Sequence, residues 1–216
     1  MLNEELEPSC GDRLSVERRA DERTTTVFRP VLIETEEFAG FCLVRNLSPN
    51  GMMGKVYTQF AENTPVTVQF NSDLVVAGAI MWSANGQVGI EFGEYIDVPI
   101  VLADLAKRVI KGKLNRAPRL QIQCDGELLI EKRTLPIDVQ DISQRGIKAR
   151  APYVRPGDEV TVCLEGLKPR HAVVRWTQAG TTGINFTHPL GFEELAQWVI
   201  WQQTRMSLAA RHQLSA

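Results

Sequence analysis

The chain has 216 residues, 44% of them hydrophobic, enough to bury ordinary cores in one large or two small domains. Its 24 basic and 26 acidic residues leave a net charge of −2, so it has no global basic field to grip long nucleic acid, and a nucleic-acid polymer is not expected as a partner. Only 7% of residues are aromatic, which also argues against a stacking surface for single strands. In chain order, Met1–Pro8 is acidic and lacks the basic-then-apolar pattern of a secretory signal, and residues 1–15 are read as a flexible arm. Short β-rich segments then follow at Thr24–Ile33, Phe38–Arg45, Met52–Tyr57, Pro65–Phe70, Leu74–Trp82 and Gln87–Phe92, separated by turn signals at Asn50-Gly51, Asn71-Ser-Asp73 and Asn85-Gly86. Val98–Ile110 has helical periodicity, with Lys107, Arg108 and Lys111 at its C-terminal end and Gly112 as a stop.

A second series begins at Arg119–Cys124 and continues through Glu127–Ile142, Ile147–Ala151, Glu159–Leu164, His171–Trp176 and Gly183–Phe186. A helical pattern at Phe192–Leu208 closes it; each helix is read as the lid of its barrel, the alternative for this one being that Trp198 and Trp201 also offer a partner surface. The two series are a repeat. Asn46-Leu-Ser-Pro-Asn-Gly51 recurs as Asp141-Ile-Ser-Gln-Arg-Gly146, and Trp82 with Gly89-Ile-Glu-Phe92 recurs as Trp176 with Gly183-Ile-Asn-Phe186. Six short strands per half favour closed antiparallel barrels, because closure removes exposed edges. The fold expected is therefore mainly β: two tandem six-stranded antiparallel barrels, each followed by an α-helix, over residues 16–112 and 113–216.

Catalytic and metal chemistry are thinly represented. Cys10, Cys42, Cys124 and Cys163 are scattered, with no C-x-x-C spacing, and are read as reduced, which suits the cytoplasm. His171, His188 and His212 are isolated, and the sequence has neither a P-loop nor a dinucleotide-binding glycine fingerprint. No enzyme activity, cofactor or metal is expected, and the apolar runs at Leu74–Trp82 and Trp198–Trp201 are too short for the ~20 residues of a membrane span.

Before the first barrel stands Glu17-Arg18-Arg19-Ala-Asp-Glu-Arg23, and after its second strand Asn46-x-Ser48-x-x-Gly51. An Arg-x-x-x-Arg alone reads as a solvated surface and an [Asp/Asn]-x-Ser-x-x-Gly alone as a turn. In this order, about 22 residues apart, ahead of a Gly-Ile-x-Phe strand, and duplicated, they resemble the PilZ family over roughly Val16–Phe92 and Leu114–Phe186. That resemblance implies a receptor for the bacterial second messenger cyclic di-GMP. Arg19 and Arg23 would be the motif arginines, Arg18 a helper, and Asn46, Ser48 and Gly51 the strand-side contacts. A guanidinium donates two parallel hydrogen bonds to a phosphate or a guanine edge and stacks on a base, which lysine does not. The amide or carboxylate at 46 or 141 would accept from guanine, the serine adds a hydroxyl, and the glycine offers positive φ and close approach.

The second half departs from the pattern: Arg119, Asp141, Ser143 and Gly146 match, but Asn115 stands where the first arginine belongs, and Arg116 gives only Arg-x-x-Arg spacing. A lost bidentate contact costs about 1.5–3 kcal/mol, so this second site is expected to bind more weakly or not at all. The mechanism implied is ligand-driven ordering of the arm and a new arrangement of the barrels, read by an unidentified downstream protein in motility, exopolysaccharide or biofilm control, with a homodimer as a further expected partner. The competing reading is a degenerate scaffold that binds proteins and no nucleotide.

Overall fold

The computed structural model describes residues 24–106, 109–110, 113–114, 117–131 and 133–214. Arg18, Arg19, Arg23, Asn115 and Arg116 lie outside the described residues, as do Cys10, Lys107, Arg108, Lys111 and Gly112. Six strands form the first barrel: β1 (Thr24–Glu34), β2 (Ala39–Ser48), β3 (Gly51–Lys55), β4 (Pro65–Gln69), β5 (Val75–Ala84) and β6 (Gln87–Phe92). They run β1-β2-β3-β6-β5-β4, and β4 pairs back onto β1 (Leu32 with Gln69), so no edge is left unpaired. Alternation drives the closure: Val31, Ile33, Val44, Val66, Val68 and Val76 point inward and are buried, each contributing on the order of 1.5–3 kcal/mol. Asn71 fixes the β4–β5 turn by accepting from the amides of Asp73 (2.8 Å) and Leu74 (2.9 Å). Asn85 and Gly86, at φ 52° and 71°, make the two-residue turn between β5 and β6, a left-handed pair that matches strand twist.

Helix α1 (Val98–Ala106) starts where Asp97 Oδ1 accepts the amide of Ile100 at 3.0 Å. It is shorter than the periodicity predicts. Val109–Ile110 (β7) pairs instead with Lys113–Leu114 (β8), a ladder that suits a β-branched pair better than a helix end does. Ile100, expected on the apolar face of the helix, is 59% exposed.

The second barrel comprises β9 (Leu120–Ile130), β10 (Arg133–Ser143), β11 (Gly146–Arg150), β12 (Glu159–Leu164), β13 (Arg170–Gln178) and β14 (Thr181–Phe186), closed in the same circular order. Its first hairpin turns at Glu131, not in the gap between the segments expected at Arg119–Cys124 and Glu127–Ile142. Gly126 lies inside β9 because β12 crosses closely there: a Cβ would fall 2.5 Å from Leu164 Cδ2. Helix α2 (Phe192–Leu214) runs past the expected Leu208, its tail Ala-Ala-Arg-His-Gln-Leu being rich in good helix formers.

The barrels touch through the outer face of β1 and β2. Val31, Ile33 and Cys42 fill the first core, whereas their neighbours Leu32 (8% exposed) and Phe41 (4%) join the hydrophobic cluster of the second barrel. Helix α2 covers this face, Gln203 Nε2 donating to the carbonyl of Ala39 and Phe192 lying 6.2 Å from the Tyr57 ring.

Candidate ligand-binding site

In each barrel the repeated Trp and Gly meet across a hairpin. Trp82 pairs with Gly89 and Trp176 with Gly183, and a Cβ on either glycine would lie 2.1 Å from the indole nitrogen. The glycine makes room for a flat indole, which in turn covers bare backbone, and each Trp keeps 38% of its surface exposed. A bulge precedes each: the register slips between Ile80 and Trp82 and between Val174 and Trp176, so Met81 and Arg175 are the extra residues aimed toward the groove. A second bulge in each barrel sits just before Asn46 and Asp141.

The turn between β2 and β3 is Pro49-Asn50, and Gly51 begins β3 opposite Ser48. The positive φ expected at the motif glycine is absent at Gly51 and present at Gly146, at φ 157°. Space requires a glycine at both positions. A Cβ would stand 2.4 Å from the Ile90 carbonyl oxygen at Gly51 and 2.1 Å from that of Ile184 at Gly146. The motif serines hold these turns: Ser48 Oγ donates to the Gly51 carbonyl at 3.1 Å and Ser143 Oγ to that of Gly146 at 3.2 Å. Returning chain pins each turn again, through Phe92 N–H to Asn50 O (2.8 Å) and Phe186 N–H to Arg145 O (2.9 Å).

The structure therefore gathers Asn46, Ser48 and Gly51 around one groove of about 510 Å³, floored by Trp82 and flanked by Met53, Met81 and Glu91. Ser143, buried to 1%, and Arg119 line an equivalent space of about 550 Å³ beside Trp176. Asp141, 5% exposed, is held by Arg119 Nη1 at 2.5 Å, with Lys148 Nζ 3.9 Å from its other oxygen. This carboxylate already has a charged partner, while Arg119 keeps further N–H donors for the cavity.

Sequence reasoning named the two tryptophans only as anchors of the repeat and overlooked Arg29, Arg145 and Arg175 beside Trp176. Counting outward from the Asn85-Gly86 turn puts Trp82 opposite Gly89, so that pair was accessible; the arginines come from three separate strands and turns. Among the described residues no cluster of His, Cys, Asp and Glu could hold a metal ion, and no helix is long and apolar enough to cross a membrane.

Two closed barrels, each with a groove over a Trp–Gly pair, define a tandem-barrel protein. The family model of the PilZ domain matches residues 17–107, the stretch that includes the first barrel and its helix, and the second barrel repeats the strand order of the first. Solved structures similar to this chain include PlzA of Borreliella burgdorferi in complex with c-di-GMP, with 12% identity, 84% of this chain and 94% of that chain covered, and a TM-score of 0.35. YcgR of Escherichia coli in complex with c-di-GMP shows 12% identity, coverage of 87% and 88%, and a TM-score of 0.33. The inhibitor of motility MotI/DgrA of Bacillus subtilis shows 14% identity, coverage of 83% and 98%, and a TM-score of 0.32. Comparison with curated proteins finds no match.

Proposed function

We propose that the chain is a cytoplasmic receptor for cyclic di-GMP, not an enzyme, and that the first barrel takes the ligand. The observation that carries this is the convergence, within the stretch that the PilZ model matches, of Asn46, Ser48 and Gly51 on one groove floored by an exposed Trp82. The described part of this groove is lined by no arginine or lysine, so the cations for a phosphate must come from elsewhere in the domain. Arg19 and Arg23, with Arg18 beside them, lie within the matched residues and supply the forked donors that a phosphodiester and a guanine edge require. Trp82 offers a base a stacking face, and the Asn46 amide can pair with a guanine edge.

Binding would draw the two arginines onto the groove and so create a surface for a downstream protein. Calorimetric titration of cyclic di-GMP into the wild type and into Arg19→Ala/Arg23→Ala tests the reading. Loss of at least about 100-fold in affinity at the first-barrel site is expected, from two charge-assisted contacts. A wild type that takes up no cyclic di-GMP would abandon the receptor and leave a protein-binding scaffold.

A further inference from the structure

The first groove is where an anionic ligand is proposed to sit, yet the one charged side chain among its described lining residues is a carboxylate, Glu91. Like charges repel, so an acid in such a groove either weakens binding or meets a part of the ligand that carries no negative charge. Where Glu91 stands decides between the two.

Asn46, Met53 and Gly89 form one row across β2, β3 and β6, and Ser48, Gly51 and Glu91 form the next. Gly89 and Glu91 are two residues apart on β6 and share its outer face, about 7 Å from one another. Between and after them, Ile90 and Phe92 turn inward and are buried. The Trp82 indole lies over Gly89, which puts Glu91 beside the ring and not beneath it. Its two cross-strand neighbours, Gly51 and Ala79, are small, so the side chain has room to swing toward the indole. Glu91 is exposed, and no ion pair among the described residues involves it. Asn46 lies two strands away, about 10 Å across the sheet.

An ionised carboxylate only accepts hydrogen bonds, through two oxygens set side by side. A phosphodiester offers it no donor and a ribose hydroxyl offers one. Guanine offers two adjacent donors, N1–H and N2–H, on the edge of a flat ring that can stack on an indole. We infer that Glu91 selects guanine: its carboxylate accepts N1–H and N2–H of a base stacked on Trp82. Adenine would present an unprotonated N1 there, lone pair against carboxylate. The inference rests on cyclic di-GMP being the ligand of the first barrel, and adds what separates that messenger from its adenine counterpart. In the second barrel the residue opposite the motif glycine is the neutral Asn185, so the device belongs to the first groove.

The test titrates cyclic di-GMP, cyclic di-AMP and cyclic di-IMP, whose bases lack the 2-amino group of guanine, into the full chain as wild type, Glu91→Gln and Glu91→Ala. Calorimetry identifies the first-barrel site as the one lost in Arg19→Ala/Arg23→Ala. Both substitutions fall on an exposed side chain, and the second barrel closes with Asn185 at the matching position, so folding should be undisturbed; thermal unfolding checks this. At that site the wild type is expected to prefer cyclic di-GMP over cyclic di-AMP by at least about 100-fold. Either variant should weaken cyclic di-GMP by roughly 10- to 100-fold while cyclic di-AMP stays level or gains. Loss of the 2-amino group should cost the wild type about 10-fold and the variants less. Equal losses for guanine and adenine ligands would place the carboxylate on ribose or on the motif arginines and overturn the inference. Tighter cyclic di-GMP binding by the variants, the mark of simple phosphate repulsion, would overturn it too. A wild type that takes up no cyclic di-GMP removes the receptor reading and this inference together, whereas binding with an unchanged guanine preference removes this inference alone.

Discussion

Trp82 and Gly89 sit directly opposite one another on β5 and β6, the indole occupying the space where any other residue would place its Cβ. Gly89→Ala drives a methyl to within 2.1 Å of the indole nitrogen, so the ring must swing away from the strand. The expected outcome is a loss of about 1–3 kcal/mol in urea denaturation. Gly183→Ala should do the same through Trp176, and each change should weaken ligand only at its own groove.

The Arg119–Asp141 pair closes the start of the second barrel. Asp141 is 5% exposed and Arg119 partly so, placing this pair between a surface bridge and a fully buried one. Asp141→Ala leaves Arg119 and Lys148 without their shared counter-charge and should destabilise the protein by about 1–3 kcal/mol. A double-mutant cycle with Arg119→Ala should return a coupling of at least about 0.5 kcal/mol; additive effects would deny the bridge a structural role.

Burial pushes the Cys42 thiol up to about 12 from 9.0, and burial with the charges of Asp125 and Asp138 pushes Cys124 up to about 11. A thiol whose folded pKa is raised favours folding fully below the unfolded value and loses that contribution as pH climbs through the folded one. The contribution of these thiols to stability should therefore be flat below pH 9.0 and fall between there and about 12. Chemical denaturation across that range should show Cys42→Ala with a lower starting stability and a shallower alkaline decline. In the native wild type at pH 8, iodoacetamide should leave Cys42 unmodified.

Phe41 is 4% exposed, yet it packs against the second barrel's cluster and not its own. Phe41→Ala should cost about 3–5 kcal/mol if the cavity it leaves stays open, less if the barrels close over it. Solution scattering should report a larger radius of gyration, while the six-stranded core of each barrel stays folded by far-UV dichroism. An unchanged radius would mean that α2 alone keeps the barrels together.

Much of this architecture was legible in the sequence, and the reasons are local. Alternation in Pro65–Gln69 and Glu159–Leu164, with turn residues such as Asn85-Gly86, marks strands whose inner faces are the only way to bury their apolar side chains. Gly126 misleads because its role is set by Leu164 on a strand far along the chain, and Val109 and Ile110 mislead because helix and hairpin both accept them. Gly51 was read as a turn residue needing positive φ, whereas the Ile90 carbonyl decides the matter from the next strand. The candidate residues Asn46, Ser48 and Gly51 were visible as a motif. The arginines around Trp176 were not, because Arg29, Arg145 and Arg175 become neighbours only after both barrels close and dock.

The contact between Gln203 and Ala39 spans 164 residues, and it has a temporal meaning. On a ribosome adding about 5–20 residues per second, that interval lasts roughly 8–33 s. The first barrel can close as it emerges, but its Leu32–Phe41 face then waits for the last helix of the chain to be made. During that wait the nascent protein carries a ready-made greasy strip, and shielding it falls to chaperones or to the ribosome surface until α2 arrives.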